Sequence, residues 1–235
     1  MEFITQIRKL SLWIFIIPFV AINLCLFIST NHHLFENTFL IVDQIGRSNP
    51  TFPYFDGGVS ISRTARTFPT YLIFKPSMIF ASFLLILYWV KTDKLINNLQ
   101  QFKSKNLFKT FGILSAVFLI IHSIFLGIKF DYDLYKFFRR FVLLAFIIFE
   151  IVAQSLLVFR LFKLKSSIKD YFNNYALILK IILVSILVVV AIFSLPIVVT
   201  SGNVHFKHAL EWNYFVGVIL FYFLTYLFWK KDIKL

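Results

Sequence analysis

The sequence predicts an all-α membrane protein, a polytopic bundle of six transmembrane helices with a long structured first outer loop. Three observations predict it. Of the 235 residues, 59% are hydrophobic, against roughly 45–50% in water-soluble domains. The excess falls in unbroken runs rich in Ile, Leu, Phe and Val, each close to the roughly 20 residues a helix needs to cross about 30 Å of hydrocarbon. Between the runs, Lys and Arg gather mainly on one side of the implied membrane. Only helices and closed barrels satisfy their backbone in lipid, and barrel strands would alternate polar with apolar residues.

The six spans fall at about 11–30, 69–90, 110–128, 137–161, 175–199 and 212–229, in one domain over 1–235. The first follows Arg8 and Lys9, as a signal sequence would, but its apolar stretch is too long and no small-x-small site follows. It is therefore read as a retained helix. Between the first and second spans lies a long loop holding Pro50, Pro53 and Gly57-Gly58. These residues mark turns, and such long loops usually have a function. Its aromatic and aliphatic residues (Phe39, Leu40, Ile41, Phe52, Tyr54, Phe55) predict that it folds over the outer mouth of the bundle. The short connection after the third span makes spans three and four antiparallel neighbours. The fourth span is interrupted by Arg139, Arg140, Glu150 and Gln154.

The net charge of +13 raises the possibility of nucleic acid, but its distribution points to a membrane instead. With the N-terminus cytoplasmic, the inner segments hold Arg8, Lys9, Lys91, Lys94, Lys103, Lys105, Lys109, Arg160, Lys163, Lys165, Lys169, Lys230, Lys231 and Lys234. The outer segments hold Arg47, Arg63, Arg66, Lys129, Lys136, Arg139, Arg140 and Lys207, although they are longer. The positive-inside rule then places both ends in the cytoplasm. The expected partners are membrane lipids, with no nucleic acid. Inner basic residues attract anionic headgroups by about 1 kcal/mol each. The single Cys25 excludes an internal disulfide and reads as a packing residue.

Ionisable groups within a membrane are functional candidates. Glu150 lies near mid-depth with Gln154 one turn on, and His122 lies in the outer half of span three. These polar residues either line a cavity or hydrogen-bond helices together. Lys180 and Lys75, near span ends, are expected to snorkel to the interface. All five histidines map to the outer half, and Glu211 follows His208 by one turn. His205-x-x-His208 has i, i+3 spacing and not the i, i+4 spacing of a zincin, so no metal site is expected. Before span two, Ser60-Ile61-Ser62-Arg63-Thr64-Ala65-Arg66 combines two arginines with hydroxyl donors, a set that suits phosphate. No nucleophile elbow, phosphate-binding loop or dinucleotide fingerprint occurs, and no cofactor is expected.

Several of these segments resemble the Frag/DRAM/Sfk family of six-span membrane proteins. Ile61-Ser62-x-Thr64 with Pro69 and Phe74 resembles its motif before span two. Gly112-Ile113-Leu114-Ser115 is similar to its opening of span three, and Gln154 matches a glutamine in span four. Ala209-Leu210-Glu211-Trp212 and Phe223-Leu224-Thr225-Tyr226 resemble its last span. Arg63 stands where the family has Asp, and Ala65 where it has Gly. The resemblance implies a six-span fold with both ends inside and a role in lipid remodelling or distribution. Other members take part in autophagy and in remodelling GPI-anchor lipids. The Lys, Asn, Ile and Phe bias points to an AT-rich bacterial genome, hence to a bacterial inner membrane and to the lipid-related part of that role.

Ser62, Thr64, Pro69, Gln154, Glu211 and Trp212 carry over from the resemblance. With Arg63, Arg66, His205 and His208, the loop and last-span positions make an outer headgroup pocket the expected site. Two other readings stay open. One is an intramembrane lipid hydrolase or acyltransferase using the outer His and acid cluster. The other is a small transporter centred on Glu150.

Overall fold

The structure, a computed structural model, describes residues 2–99, 106–128, 133–166, 171–199 and 202–230. Lys103, Lys105, Lys129, Lys169, Lys231 and Lys234 of the charge argument lie outside the described residues. The described residues form helices α1 (Glu2–Thr30), α2 (Ile61–Ala65), α3 (Tyr71–Leu99), α4 (Leu107–Phe125), α5 (Asp133–Lys163), α6 (Asn174–Val199) and α7 (Val204–Phe228). All but the five-residue α2 are long and apolar enough to cross a bilayer. The helices outrun the predicted spans. α1 starts at Glu2 and α3 continues to Leu99, because apolar count marks only the lipid-facing stretch. The amphipathic ends add helical turns that pack on each other, as Lys91 does by donating to Gln6 Oε1 at 2.6 Å.

The six long helices form a ring in the order α1, α3, α4, α5, α6, α7 and back to α1, with α5 also touching α7. Successive spans are antiparallel, so residues 2 and 230 share one end, the terminal face. There the Arg8 guanidinium lies 4.8 Å from the Tyr226 ring. The long loop occupies the opposite end, the loop face. At the terminal face, backbone bonds from Asn173 to Phe228 (2.8 Å) and from Lys230 to Tyr171 (3.1 Å) tie the start of α6 to the end of α7.

Lipid is as apolar as leucine, so close packing and polar contacts hold such a bundle together rather than hydrophobic burial. Gly112 shows the packing part. A Cβ there would sit 2.3 Å from Trp89 Cδ2, so the missing side chain lets α4 close on the buried indole of α3. The terminal half of the core joins Ile7, Ile14, Tyr88, Trp89, Phe221, Tyr222 and Phe228. A smaller loop-side core joins Ile22, Cys25, Val59, Ala65, Phe74, Met78, Leu126 and Trp212. The loop therefore belongs to the packed structure, through Val59 and Ala65.

At mid-depth, Glu150 of α5 is buried and accepts hydrogen bonds from Ser115 of α4, Tyr222 of α7 and Gln154 Nε2 (3.0 Å). Gln154 Nε2 also donates to the Val218 carbonyl at 3.1 Å, crossing the ring from α5 to α7. Lys180 differs from its expectation. It is fully buried, donates to Thr225 Oγ1 at 2.6 Å, and lies 3.8 Å from the Phe221 ring and 5.5 Å from the Phe228 ring. α6 turns this lysine toward α7, so its stem has no path along the lipid face. Lys75, in the first turns of α3 at the loop face, is half-buried, with Nζ donating to the Ile124 carbonyl at 3.2 Å.

Candidate functional site at the loop face

The loop face is built by the segment from 31 to 70 and the helix ends beneath it. Its first half is strapped to α1. Ser29 donates to the Gly46 carbonyl, and Ser48 N–H donates to the Ser29 carbonyl at 3.0 Å. Arg47 donates to the Val42 carbonyl at 3.0 Å and lies 3.6 Å from Glu36. The two strands of chain close through Asp43, whose N–H donates to the Phe68 carbonyl and whose carboxylate accepts the Phe68 N–H, both at 3.1 Å.

The second half is held by α7. His208 Nδ1 meets the Gly57 carbonyl at 2.9 Å. Trp212 Nε1 donates to the Val59 carbonyl at 2.8 Å and packs edge-on to Tyr54 at 5.0 Å. Asn213 donates to the Tyr54 carbonyl at 2.7 Å. Glu211 accepts the backbone N–H groups of Ile61 and Ser62, which are orphan donors at the start of α2. Ser60 caps the same turn by accepting the Arg63 N–H at 3.2 Å. Gly57 has φ +62, and a Cβ there would meet the His205 carbonyl at 1.7 Å, so only glycine fits between loop and α7. Beside it, the exposed Asp56 accepts from Thr51 and from the N–H groups of Phe52 and Gly58 at 2.8 Å. These bonds, that of Thr51 foremost, hold its carboxyl below the usual carboxylate range.

The expected headgroup residues thus divide in two. Glu211, Trp212 and His208 bind the loop backbone, and Ser62 and Thr64 serve α2 itself: Thr64 Oγ1 donates to the Ile61 carbonyl at 2.8 Å, and Ser62 Oγ faces Ser60 Oγ at 3.3 Å. His205 is exposed beside Asp56. The arginines lie elsewhere. Arg63 donates to the carbonyls of Ile45 (3.2 Å) and Arg47 (3.5 Å). Arg66, at the end of α2, is half-buried within electrostatic reach of Arg63 and of Arg139 from α5. Burial first, then those two like charges, push its guanidinium below the usual arginine range. His122, in the last turn of α4, faces Arg139 as well.

Asp43, Ser60, Asn213 and Arg139 were not among the expected site residues. Of these, Ser60 carried a sequence signal as part of the hydroxyl-rich segment before span two, and Arg139 as a charge interrupting an apolar run. Among the described residues, no group of three His, Cys, Asp or Glu side chains comes together to hold a metal.

Fold and site define an integral membrane protein with six helical spans, closed at one end by a loop strapped to its first and last helices. No family model matches the chain, and neither a curated protein nor a solved structure is similar to it.

Proposed function

We propose that this protein handles phospholipid at the outer face of a bacterial inner membrane, as a member of the Frag/DRAM/Sfk type, with its loop face outward and both termini cytoplasmic. One observation carries the lipid part. The loop turns Phe39, Phe52 and Phe55 outward: Phe39 is 86% exposed and Phe55 85%. Phe52 and Phe55 stack at 5.4 Å and are both exposed; large apolar side chains exposed together mark a surface that meets lipid or a partner, and aromatic rings favour the membrane interface. The basic bias of the terminal face supports the orientation.

The test is the depth of the loop. Cys25 is the chain's single cysteine and is buried, so a Cys25→Ser background takes a spin label at position 39 or 55. In phosphatidylcholine nanodiscs, both labels are expected to relax with oxygen, which partitions into lipid, more than with a water-soluble nickel chelate. Relaxation by nickel alone would place the loop in water and remove the basis of this reading.

A further inference from the structure

Three structural features bring cations together at the loop-face mouth of the ring. A Cβ on Gly127, just past α4, would lie 2.7 Å from the Arg66 carbonyl, so the end of α2 rests on the α4–α5 connection. Tyr135 of α5 donates to the carbonyls of Phe125 (3.0 Å) and Ile128 (3.2 Å), which fixes the start of α5 to the same place. Arg139, one turn later, lies 6.0 Å from the Tyr135 ring. Arg139 shares the α5 face of Glu150, eleven residues on, which is about three turns. His122 shares the α4 face of Ser115, seven residues away, about two turns. Both faces look into the ring.

Among the described residues, this cluster has no counter-charge. Among the described residues, the carboxylates form ion pairs with His32, Arg47 and Lys109, and none pairs with Arg63, Arg66 or Arg139. The Arg139 Nε is buried without a hydrogen-bond partner among the described residues. Half-buried cations that repel one another are held together at a cost, and an anion arriving between them would relieve it. Guanidinium forks match phosphate oxygens in pairs, which a single ammonium does not do.

We propose that Arg66 and Arg139, with Arg63 at the rim and His122 behind them, bind one phosphate group at the mouth of the ring. The assignment rests on the lipid reading above for its first choice of source, the headgroup phosphate of an anionic phospholipid. Free inorganic phosphate offers the same chemistry.

The full chain, purified in mild detergent and exchanged into phosphatidylcholine nanodiscs doped with phosphatidylglycerol, is examined by native mass spectrometry. The wild type is expected to retain phosphatidylglycerol preferentially. Retention should fall about tenfold in Arg66→Gln and in Arg139→Gln, and stay unchanged in the exposed Arg140→Gln. Retention that excess inorganic phosphate does not displace supports the headgroup. Labelled phosphate bound by the wild type and lost in both variants supports the same site with the free anion as ligand. Selective retention unchanged in the Arg66→Gln/Arg139→Gln double variant would overturn the site and leave the lipid reading standing. A wild type that selects no lipid and binds no phosphate would overturn both. Thermal unfolding guards against a folding artefact. Removing one repelling charge in Arg66→Gln should raise the midpoint of the lipid-free protein, and a lowered midpoint would make Arg66 a structural residue and overturn the assignment.

Discussion

Two of the polar clusters inside the ring differ in how far their needs are met. At mid-depth, Glu150 receives Ser115, Tyr222 and Gln154, donors from three helices, and among the described residues only the Gln154 Oε1 of this group lacks a partner. At the loop-face mouth, Arg66 and Arg139 repel each other, and Arg139 Nε has no partner among the described residues. A satisfied network stiffens a core. An unsatisfied one leaves room for a group from outside the chain, the phosphate proposed above. The mid-depth cluster is therefore read as the bolt of the bundle and the mouth cluster as its site.

The largest expected effect is a break of the satisfied cluster. Glu150→Ala takes the acceptor from Tyr222 and leaves Ser115 the Gly112 carbonyl and Gln154 the Val218 carbonyl, and a stranded buried donor costs about 1–3 kcal/mol. We expect a loss of about 2–4 kcal/mol for the set, measured as unfolding in detergent, while lipid retention per folded molecule is unchanged. Retention lost along with Glu150 would merge the two clusters into one site.

Next is packing. Gly112→Ala forces a Cβ to 2.3 Å from Trp89 Cδ2, and overpacking costs about 1–3 kcal/mol. A lower unfolding midpoint is expected, and an unchanged one would mean that the Trp89 indole moves freely.

Glu211→Gln sharpens the comparison, because it alters the loop face without touching the arginines. Gln keeps one acceptor for the α2 N–H groups but gives up the charge, so α2 loosens by about 0.5–2 kcal/mol, a typical cap. Amide exchange over 60–66 should quicken while phosphatidylglycerol retention holds. Retention lost with Glu211 would return that residue to the ligand site.

The smallest effect belongs to Asp56. Its folded pKa is depressed by Thr51, Gly58 and Phe52, so its contribution is present above the unfolded value of about 3.9 and disappears as pH falls through the folded value. Protease resistance of the loop should hold from neutral pH to about 4 and drop below it. In Asp56→Asn the resistance should be lower at neutral pH and lack that acid step. Because Asp56 is exposed, solvent screening keeps the difference small.

The arrangement of spans was legible because bilayer thickness sets a length that apolar runs either reach or miss. Glu150 and Gln154 were legible as one face, since residues four apart are neighbours on a helix. Their partners were not. Ser115 and Tyr222 are ordinary hydroxyls within apolar runs, and only ring closure turns them toward Glu150. Lys180 was misread for a related reason. α6 is apolar almost all round, so nothing in its pattern states which side faces α7. Glu211 and Trp212 stood out as a motif, but their roles as a cap for α2 and a clamp on Val59 needed the loop in place.

By itself the sequence determined the bilayer as solvent, the number of crossings and the pairing of the two ends on one face. These follow from run length and parity, which are local properties of the chain. Tertiary structure decided which way each helix turns and which charges meet. Arg66 and Arg139 lie 73 positions apart, and no periodicity links them. They come within electrostatic reach because Gly127 admits the Arg66 backbone and Tyr135 fixes the start of α5 beside it. In lipid, where apolar faces are interchangeable, close contacts of this kind set helix rotation, and they exist only once the ring has closed.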